Sequence, residues 1–329
     1  MNYTTRIGRT RRWPGVVMAG TVMFLVILLL AATPHQVCAQ AKVGTAGAKF
    51  LALGISARAM GMAEAFTAVS NDVSAVYYNP AGLTSLLGKE AMFTYIRMPA
   101  DINYGFAAYA MPLEAVGGVL GISAYGLSTG DIIETTYEQG TEDGTGRTFM
   151  ANDMAVAMSY GRYLTDRFSV GVTVRFIGEY YADQSATGWS ADVGTNYDTG
   201  FRGFKIAMII SNFGPDLKFL EKPYPLPINF KFGGCINVIQ NTSHVLTFAA
   251  EGSHPNDNLE KYNAGLEYTY KDRFVLRVGD RMHYDSDGMT FGGGVRVPFA
   301  KDKELRFDYA YQDYGILTQV HRFSMAIAF

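Results

Sequence analysis

From residue 91 onward, apolar and polar residues alternate in segments of about ten, each bounded by turn-forming residues. In one segment Leu305, Phe307, Tyr309 and Tyr311 take one phase, and Glu304, Arg306, Asp308 and Gln312 the other. In another, Val170, Val172, Val174 and Phe176 oppose Gly171, Thr173, Arg175 and Glu179. In a third, Trp189, Ala191, Val193 and Tyr197 oppose Ser190, Asp192, Gly194 and Asn196. Successive side chains of a strand point to opposite faces, so each pattern predicts one apolar wall and one wet wall. Such segments begin near Ala91, Asn103, Val116, Met150, Arg167, Thr187, Phe201, Leu226, His244, Leu259, Arg273, Gly288, Glu304 and Leu317. Connections after even-numbered segments are short, and those after odd-numbered ones mostly longer, as at 127–149 and 212–225. The pattern predicts an all-β fold: a transmembrane antiparallel β-barrel of about 14 strands over residues 89–329, with both ends in the periplasm. A soluble sandwich, which buries the apolar faces of two sheets against each other, is the alternative. So many alternating strands behind an export signal fit it poorly.

The export signal is read from residues 1–39. Arg6, Arg9, Arg11 and Arg12 precede an uncharged apolar run at 16–32, then Pro34 and Val37-Cys38-Ala39. Small residues at −3 and −1 predict signal-peptidase cleavage after Ala39, so that the mature chain starts at Gln40. A retained helical anchor is the alternative, because the run is nearly long enough to span. A lipoprotein signal would want a small residue where Val37 stands, and the Leu-rich core favours ordinary Sec export over the twin-arginine route. Without this segment the 28 Lys plus Arg fall to 24 against 30 Asp plus Glu, a net charge of −6. No basic stripe for nucleic acid remains. Cys235 is then the one cysteine left, so no disulfide forms within the chain.

Composition agrees with a barrel. There are 36 Gly, and 21 Phe and 21 Tyr against 2 Trp, which suits strands, tight turns and interfacial girdles. A mean hydropathy of +0.04 does not argue against a membrane barrel, whose walls alternate.

Residues 40–88 lack the alternation. They are rich in Gly and Ala, residues 55–66 could form a short helix, and Asn79-Pro80 breaks whatever precedes it. Three blocks stand out: Ala57-Arg58-Ala59-Met60-Gly61-Met62, Asn71-Asp72-Val73-Ser74-Ala75 and Tyr78-Asn79-Pro80-Ala81-Gly82. With Gly54 ahead of them, they resemble the N-terminal region of the PorV/PorQ family, relatives of FadL-type fatty-acid channels. The resemblance covers the whole mature chain. It implies that residues 40–88 fold inside the lumen as a hatch, with Gly54, Arg58, Gly61, Asp72, Asn79, Pro80, Ala81 and Gly82 as its motif. Asn79 can satisfy local backbone groups, and Gly82 permits a tight turn. The sequence departs from PorV itself in its short length and in carrying Tyr78-Asn79-Pro80-Ala81-Gly82 rather than a His-Trp-Asn-Pro-Ala-Lys-like run.

The wet face carries Arg175, Lys205, Lys231, Arg277, Arg296, Arg306 and Arg322, with Asp153, Glu179, Asp192, Glu267, Glu304 and Asp308. A selective pore would want one sign at its constriction. A near-balanced lumen suits ion pairs between wall and hatch, or charges sitting in lumen water. Phe213, Leu217, Phe219, Leu220 and Tyr224 fall in the connection after the seventh strand. They predict either the mouth of a hydrophobic ligand site and partner surface or a cover packed on the rim. At the end of the chain Phe323, Met325, Ile327 and Phe329 alternate like the outer-membrane targeting signal read by the barrel-assembly machinery, and would face lipid.

Catalytic readings find little. His244, His254, His283 and His321 have no paired metal-ligand spacing, and there is no GxSxG or P-loop. A barrel-type lipase and a calcium turn at 285–288 are the residual alternatives, and no cofactor or metal is expected. Gly292-Gly293-Gly294 predicts a bend or a close hatch contact. The resemblance implies two functions. The first reading is passive FadL-like uptake of a hydrophobic small molecule. The alternative is an outer-membrane component or cargo-holding platform of type IX secretion, meeting secretion-system proteins or exported cargo. A purely structural outer-membrane protein is a third.

Overall fold

A computed structural model describes residues 43–135, 144–284, 288–301, 303–315 and 318–329. The expected signal peptide with its cleavage point, and residues 285–287 of the expected calcium turn, lie outside the described residues. Among these residues no helix is long and apolar enough to cross a membrane.

The wall is a closed antiparallel barrel. Its strands are β1 (Glu90–Arg97), β2 (Asn103–Leu113), β3 (Gly118–Ser128), β4 (Ala151–Thr165), β5 (Phe168–Tyr181), β6 (Gln184–Asp198) and β7 (Lys205–Phe213). They continue as β8 (Asn229–Gln240), β9 (His244–Pro255), β10 (Lys261–Tyr270), β11 (Phe274–Met282), β12 (Met289–Ala300), β13 (Lys303–Asp313) and β14 (Gln319–Ala328). Each strand pairs with its neighbours in sequence, and β1 closes the ring on β14, from Glu90 opposite Ala328 to Arg97 opposite His321. Closure leaves no sheet edge, which is what a strand-built membrane span requires.

Alternation in sequence becomes alternation in exposure. Along β6, Trp189 and Val193 are exposed while Ser190 and Asp192 are buried. Along β13, Phe307 and Tyr309 are exposed while Ala310 and Gln312 are buried. The apolar set is therefore the outer surface, the reverse of a soluble protein and the solution that lipid demands.

Two small hairpins decorate the loop end. Ile132–Ile133 pairs with Thr148–Phe149, and Leu217–Phe219 with Lys222–Tyr224. The helix expected over residues 55–66 is shorter, spanning only Ala57–Met60. Ala63 and Glu64 adopt left-handed backbone angles (φ 54° and 62°), which end a right-handed helix at once.

At the other end, where the wall begins and finishes, Phe329 N–H donates to Lys89 O and Lys89 N–H to Phe329 O, at 2.9 and 3.0 Å. Phe323, Met325 and Phe329 are exposed on the outer surface, with Ile327 half-buried beside them. Phe329→Asp is expected to reduce membrane assembly, since a charge on the lipid face costs roughly 2–4 kcal/mol near the midplane and less at the interface. The yield of heat-modifiable barrel in membranes measures this, and an unchanged yield would refute it.

Candidate functional site

Buried polar contacts are concentrated where residues 43–88 meet the inner wall. From residue 54 to 83 nearly every residue is buried, although the segment contains only short helices. Its backbone polar groups therefore need partners, and the wall supplies many of them. Ala57 N–H donates to Ser324 Oγ at 3.0 Å, Ala63 N–H to Thr290 Oγ1 at 3.1 Å, and Ala48 N–H to Glu179 Oε1 at 3.0 Å. Glu251 Oε2 accepts from Phe66 N–H at 3.2 Å and Thr67 N–H at 2.9 Å. The segment is held by strands on several sides of the ring.

The Asn-Pro-Ala-Gly block forms one anchor. Asn79 is extended (φ −166°) and caps the short helix Pro80–Ser85, its Oδ1 accepting from Ala81 N–H at 3.1 Å. Proline suits the first helical position because the N–H it lacks would go unused there. The other half of the Asn79 amide donates to Thr67 O at 3.0 Å and to Thr195 O on β6 at 3.1 Å. Wall glycines let this block approach. A Cβ at Gly171 would lie 2.2 Å from Pro80 C, one at Gly161 2.5 Å from Pro80 O, and one at Gly194 2.1 Å from Asn79 Oδ1. The same logic applies at Gly82, where a Cβ would lie 2.2 Å from Ser70 O. Gly54 similarly abuts the Glu64 carboxylate.

A second glycine face lies across the ring. A Cβ at Gly265 or Gly279 would come within 2.5 Å of backbone at Met62 or Ala63, and one at Gly292 would lie 3.0 Å from Gly61 Cα. Gly292 is thus the expected close contact.

Beside this second face runs a buried charge network. Arg58 Nε and Nη2 donate to the two oxygens of Glu267, each at 2.9 Å, and its Nη1 donates to Asp72 Oδ2 and Asn71 Oδ1, each at 2.7 Å. Arg277 donates to Glu267 at 2.7 Å and to Asp308 at 2.6 Å. Arg306 lies 2.7 Å from Glu90, and Arg322 donates to Gln312 Oε1 at 2.6 Å and to Gly54 O at 3.4 Å. Burial opposes the ionised form of Asp72, but Arg58 and then Arg306 outweigh it and hold the carboxyl at about 2, below the ordinary 3.8.

A depressed carboxyl stabilises only when ionised, so its contribution is complete above the ordinary value and is lost as pH falls through the folded one. The Asp72 contribution, roughly 2 kcal/mol, is expected to vanish between about pH 4 and 2. Pepsin cleavage within 43–88 should rise over that window in the wild type. Asp72→Asn should abolish the rise.

Toward the loop end, Arg175 pairs with Asp192 at 2.7 Å, both almost fully buried, and donates to Asn212 Oδ1 at 2.6 Å. Asn212 sits at a bulge between β6 and β7 with φ 59°, and its N–H donates to Asp192 rather than to the ladder. Beside it lies a cavity of about 130 Å³ bordered by Lys49, Glu64, Tyr77, Lys231, Asp257 and Arg281. Its charges are mutually compensated: Lys49 with Asp257, Lys231 with Glu251 and Arg281 with Glu64.

The expected apolar loop surface divides. Phe213 is the last residue of β7, not a loop residue, and points outward at 62% exposed, because the strand outlasts its apparent turn. Leu217 is buried against β6, where a Cβ at Gly188 would meet it, and Phe219 packs on Tyr181 with ring centroids 5.2 Å apart. Leu220 and Tyr224 remain exposed. Among the expected inward charges, Arg175, Glu179, Asp192, Arg277, Arg306 and Asp308 all make the contacts given above, whereas Arg296 does not. Glu251 and Glu90 were not anticipated. The burial of Ala249 and Ser253 flanking Glu251, two residues either side, shows that its inward phase was present in the alternation. Among the described residues no cluster of His, Cys, Asp and Glu is arranged to hold a metal ion.

Solved structures with this architecture are bacterial outer-membrane channels. The toluene transporter TbuX of Ralstonia pickettii aligns at 14% identity and a TM-score of 0.58, covering 84% of this chain and 97% of that one. The toluene transporter TodX of Pseudomonas putida aligns at 11% identity and 0.55, covering 82% and 96%. A FadL homologue of Pseudomonas aeruginosa aligns at 12% and 0.54, covering 84% and 98%. At such identities the likeness establishes the fold. No curated protein matches the sequence. The family described as "Type IX secretion system protein PorV" matches residues 36–254, two thirds of the sequence. With the FadL-like barrel around it, this match makes the chain a bacterial outer-membrane protein and a member of the PorV family.

Proposed function

We propose that this barrel is a closed, non-catalytic element of type IX secretion. Its interior is plugged by residues 43–88, and its loop end faces outward to meet exported cargo or another secretion-system protein. Both chain ends then lie in the periplasm, after removal of residues 1–39. The observation that carries this reading is the character of the space left at the loop end. It is small, and its walls mix ion pairs with Leu51, Tyr77, Tyr78 and Ile209 instead of giving the predominantly apolar lining that small hydrophobic ligands require. Apolar surface sits instead on the outside of the loops, at Leu220 and Tyr224. That is where a protein partner finds it.

The test uses the full chain in detergent and an exported protein bearing the C-terminal secretion domain. Leu220→Ser with Tyr224→Ser is expected to weaken capture at least tenfold, since each side chain fully buried at the interface contributes about 1.5–3 kcal/mol. Capture unchanged by the double substitution would refute the reading.

FadL-like uptake is the second reading, favoured by the fold shared with two toluene transporters and by the bulge at Asn212, which interrupts the ladder beside the outer cavity. It requires saturable binding of toluene or a long-chain fatty acid by the purified barrel. If the double substitution spares cargo but abolishes that binding, uptake is the function. A large steady ion current across a bilayer would contradict both.

A further inference from the structure

The end of the barrel that holds the chain ends contains a second cavity, of about 220 Å³, bordered by Arg296, Lys205, Asn71 and Thr269. Its electrostatics differ from those of the rest of the interior. Arg58, Arg175, Arg277, Arg281, Arg306 and Lys231 each have a carboxylate partner, and Arg322 is held by Gln312 Oε1 and Gly54 O. Arg296 and Lys205 make no side-chain hydrogen bond or ion pair to any described residue.

For Arg296 the surroundings are unfavourable. It stands directly opposite Arg306 across the β12–β13 ladder, and like charges in that position repel. Arg58 adds further repulsion. Glu267 and Glu304 attract it, but Glu267 is occupied by Arg58 and Arg277, and Glu304 leans toward Arg306 at 3.8 Å. Lys205 faces Asp198 across its own ladder without reaching ion-pair distance, and Asp272 also borders the cavity unpaired. A half-buried cation without a counter-charge costs stability unless an anion completes it. Neutral donors border it: the Thr269 hydroxyl, and the amide nitrogen of Asn71, whose oxygen accepts from Arg58.

We propose that Arg296 and Lys205 bind a phosphate group in this cavity, with Thr269 and Asn71 donating to its remaining oxygens. Tetrahedral geometry suits a phosphate to donors arriving from several strands, and a guanidinium offers it two parallel hydrogen bonds. The group can arrive as free phosphate or as the headgroup of a phospholipid at the membrane surface.

The test is calorimetric titration of the full chain in detergent, at low ionic strength, with inorganic phosphate and separately with dihexanoyl phosphatidic acid. Saturable phosphate binding is expected, weakened about tenfold by Arg296→Gln and by Lys205→Gln, and less by Arg296→Lys, which keeps the charge but loses the second parallel hydrogen bond. Unchanged heat-modifiable mobility establishes that these variants fold. Phosphatidic acid binding at least tenfold tighter than phosphate, with the same dependence on Arg296, identifies a lipid headgroup as the source. Equal affinities identify free phosphate. Absence of binding by both probes, or binding that Arg296→Gln and Lys205→Gln leave unchanged, overturns the proposal.

Discussion

Glu267→Gln is expected to destabilise the folded protein by about 3–5 kcal/mol, the usual cost of removing one partner from a buried ion-pair network. The carboxylate is shared. Arg58 grips both oxygens from the inner segment, and Arg277 holds one from the adjacent strand β11. Glutamine keeps the shape but loses the charge, and its amide nitrogen turns a donor toward a guanidinium that is itself a donor. Two arginines remain in the interior with fewer counter-charges, Asp72 for one and Asp308 for the other. Guanidinium groups do not shed their protons to escape this, because their pKa lies far above neutral. Urea unfolding in detergent should show the loss, and trypsin should cleave the inner segment sooner than in wild type. Asp308→Asn should cost less, because that carboxylate is more exposed and serves only Arg277. Equal stability of Glu267→Gln and wild type would mean that the network is solvated.

The wall was legible in the sequence for a simple reason. A side-chain period of two, repeated between lipid and lumen, is imposed on every strand, and tertiary contacts cannot override it without putting a charge into lipid. Each expected strand start lies within a few residues of the observed one, down to Asn103 and His244, which agree to the residue. Arg175, Asp192, Glu267 and Arg277 are buried in the same alternation. Their pairing was not legible, because Arg58 and Glu267 are 209 residues apart and nothing local relates them. The shortened helix at Ala57–Met60 failed for the opposite reason. Alanine and methionine favour helix, but a turn tight enough to seat Met62 and Ala63 on the glycine face needs left-handed backbone, which no local propensity announces. Phe213 ends β7 directly before Gly214-Pro215, so the strand runs one residue or more into what the sequence reads as a connection.

Gly171→Val is expected to unseat the Asn79-Pro80-Ala81 anchor, an effect that composition alone would not suggest. Many glycines in a barrel are naturally read as turns, yet Gly161, Gly171 and Gly194 lie within β4, β5 and β6, where glycine weakens a strand and β-branched residues normally stabilise it. By local propensity the substitution should strengthen β5. Tertiary structure reverses the sign, since the added Cβ alone would sit 2.2 Å from Pro80 C and 2.3 Å from Ala81 N. Those are backbone atoms, fixed on one side by the Asn79 cap and on another by the hydrogen bond from Ser169 Oγ to Ala81 O at 3.1 Å. No side-chain rotation relieves such a contact, so either the anchor or the strand must move. Overpacking in a close-packed interior costs about 1–3 kcal/mol, and a clash with backbone belongs at the upper end. The ladders of the wall run from strand to strand without using the anchor, so the barrel should still assemble and retain heat-modifiable mobility. Displacement of the anchor should appear as protease cleavage within 43–88 and as a bilayer conductance absent from the wild type. Gly105→Val, on β2 where a Cβ meets open space, supplies the control and should change neither. A Gly171→Val barrel as resistant and as silent as the wild type would show that the anchor is not seated on these three glycines.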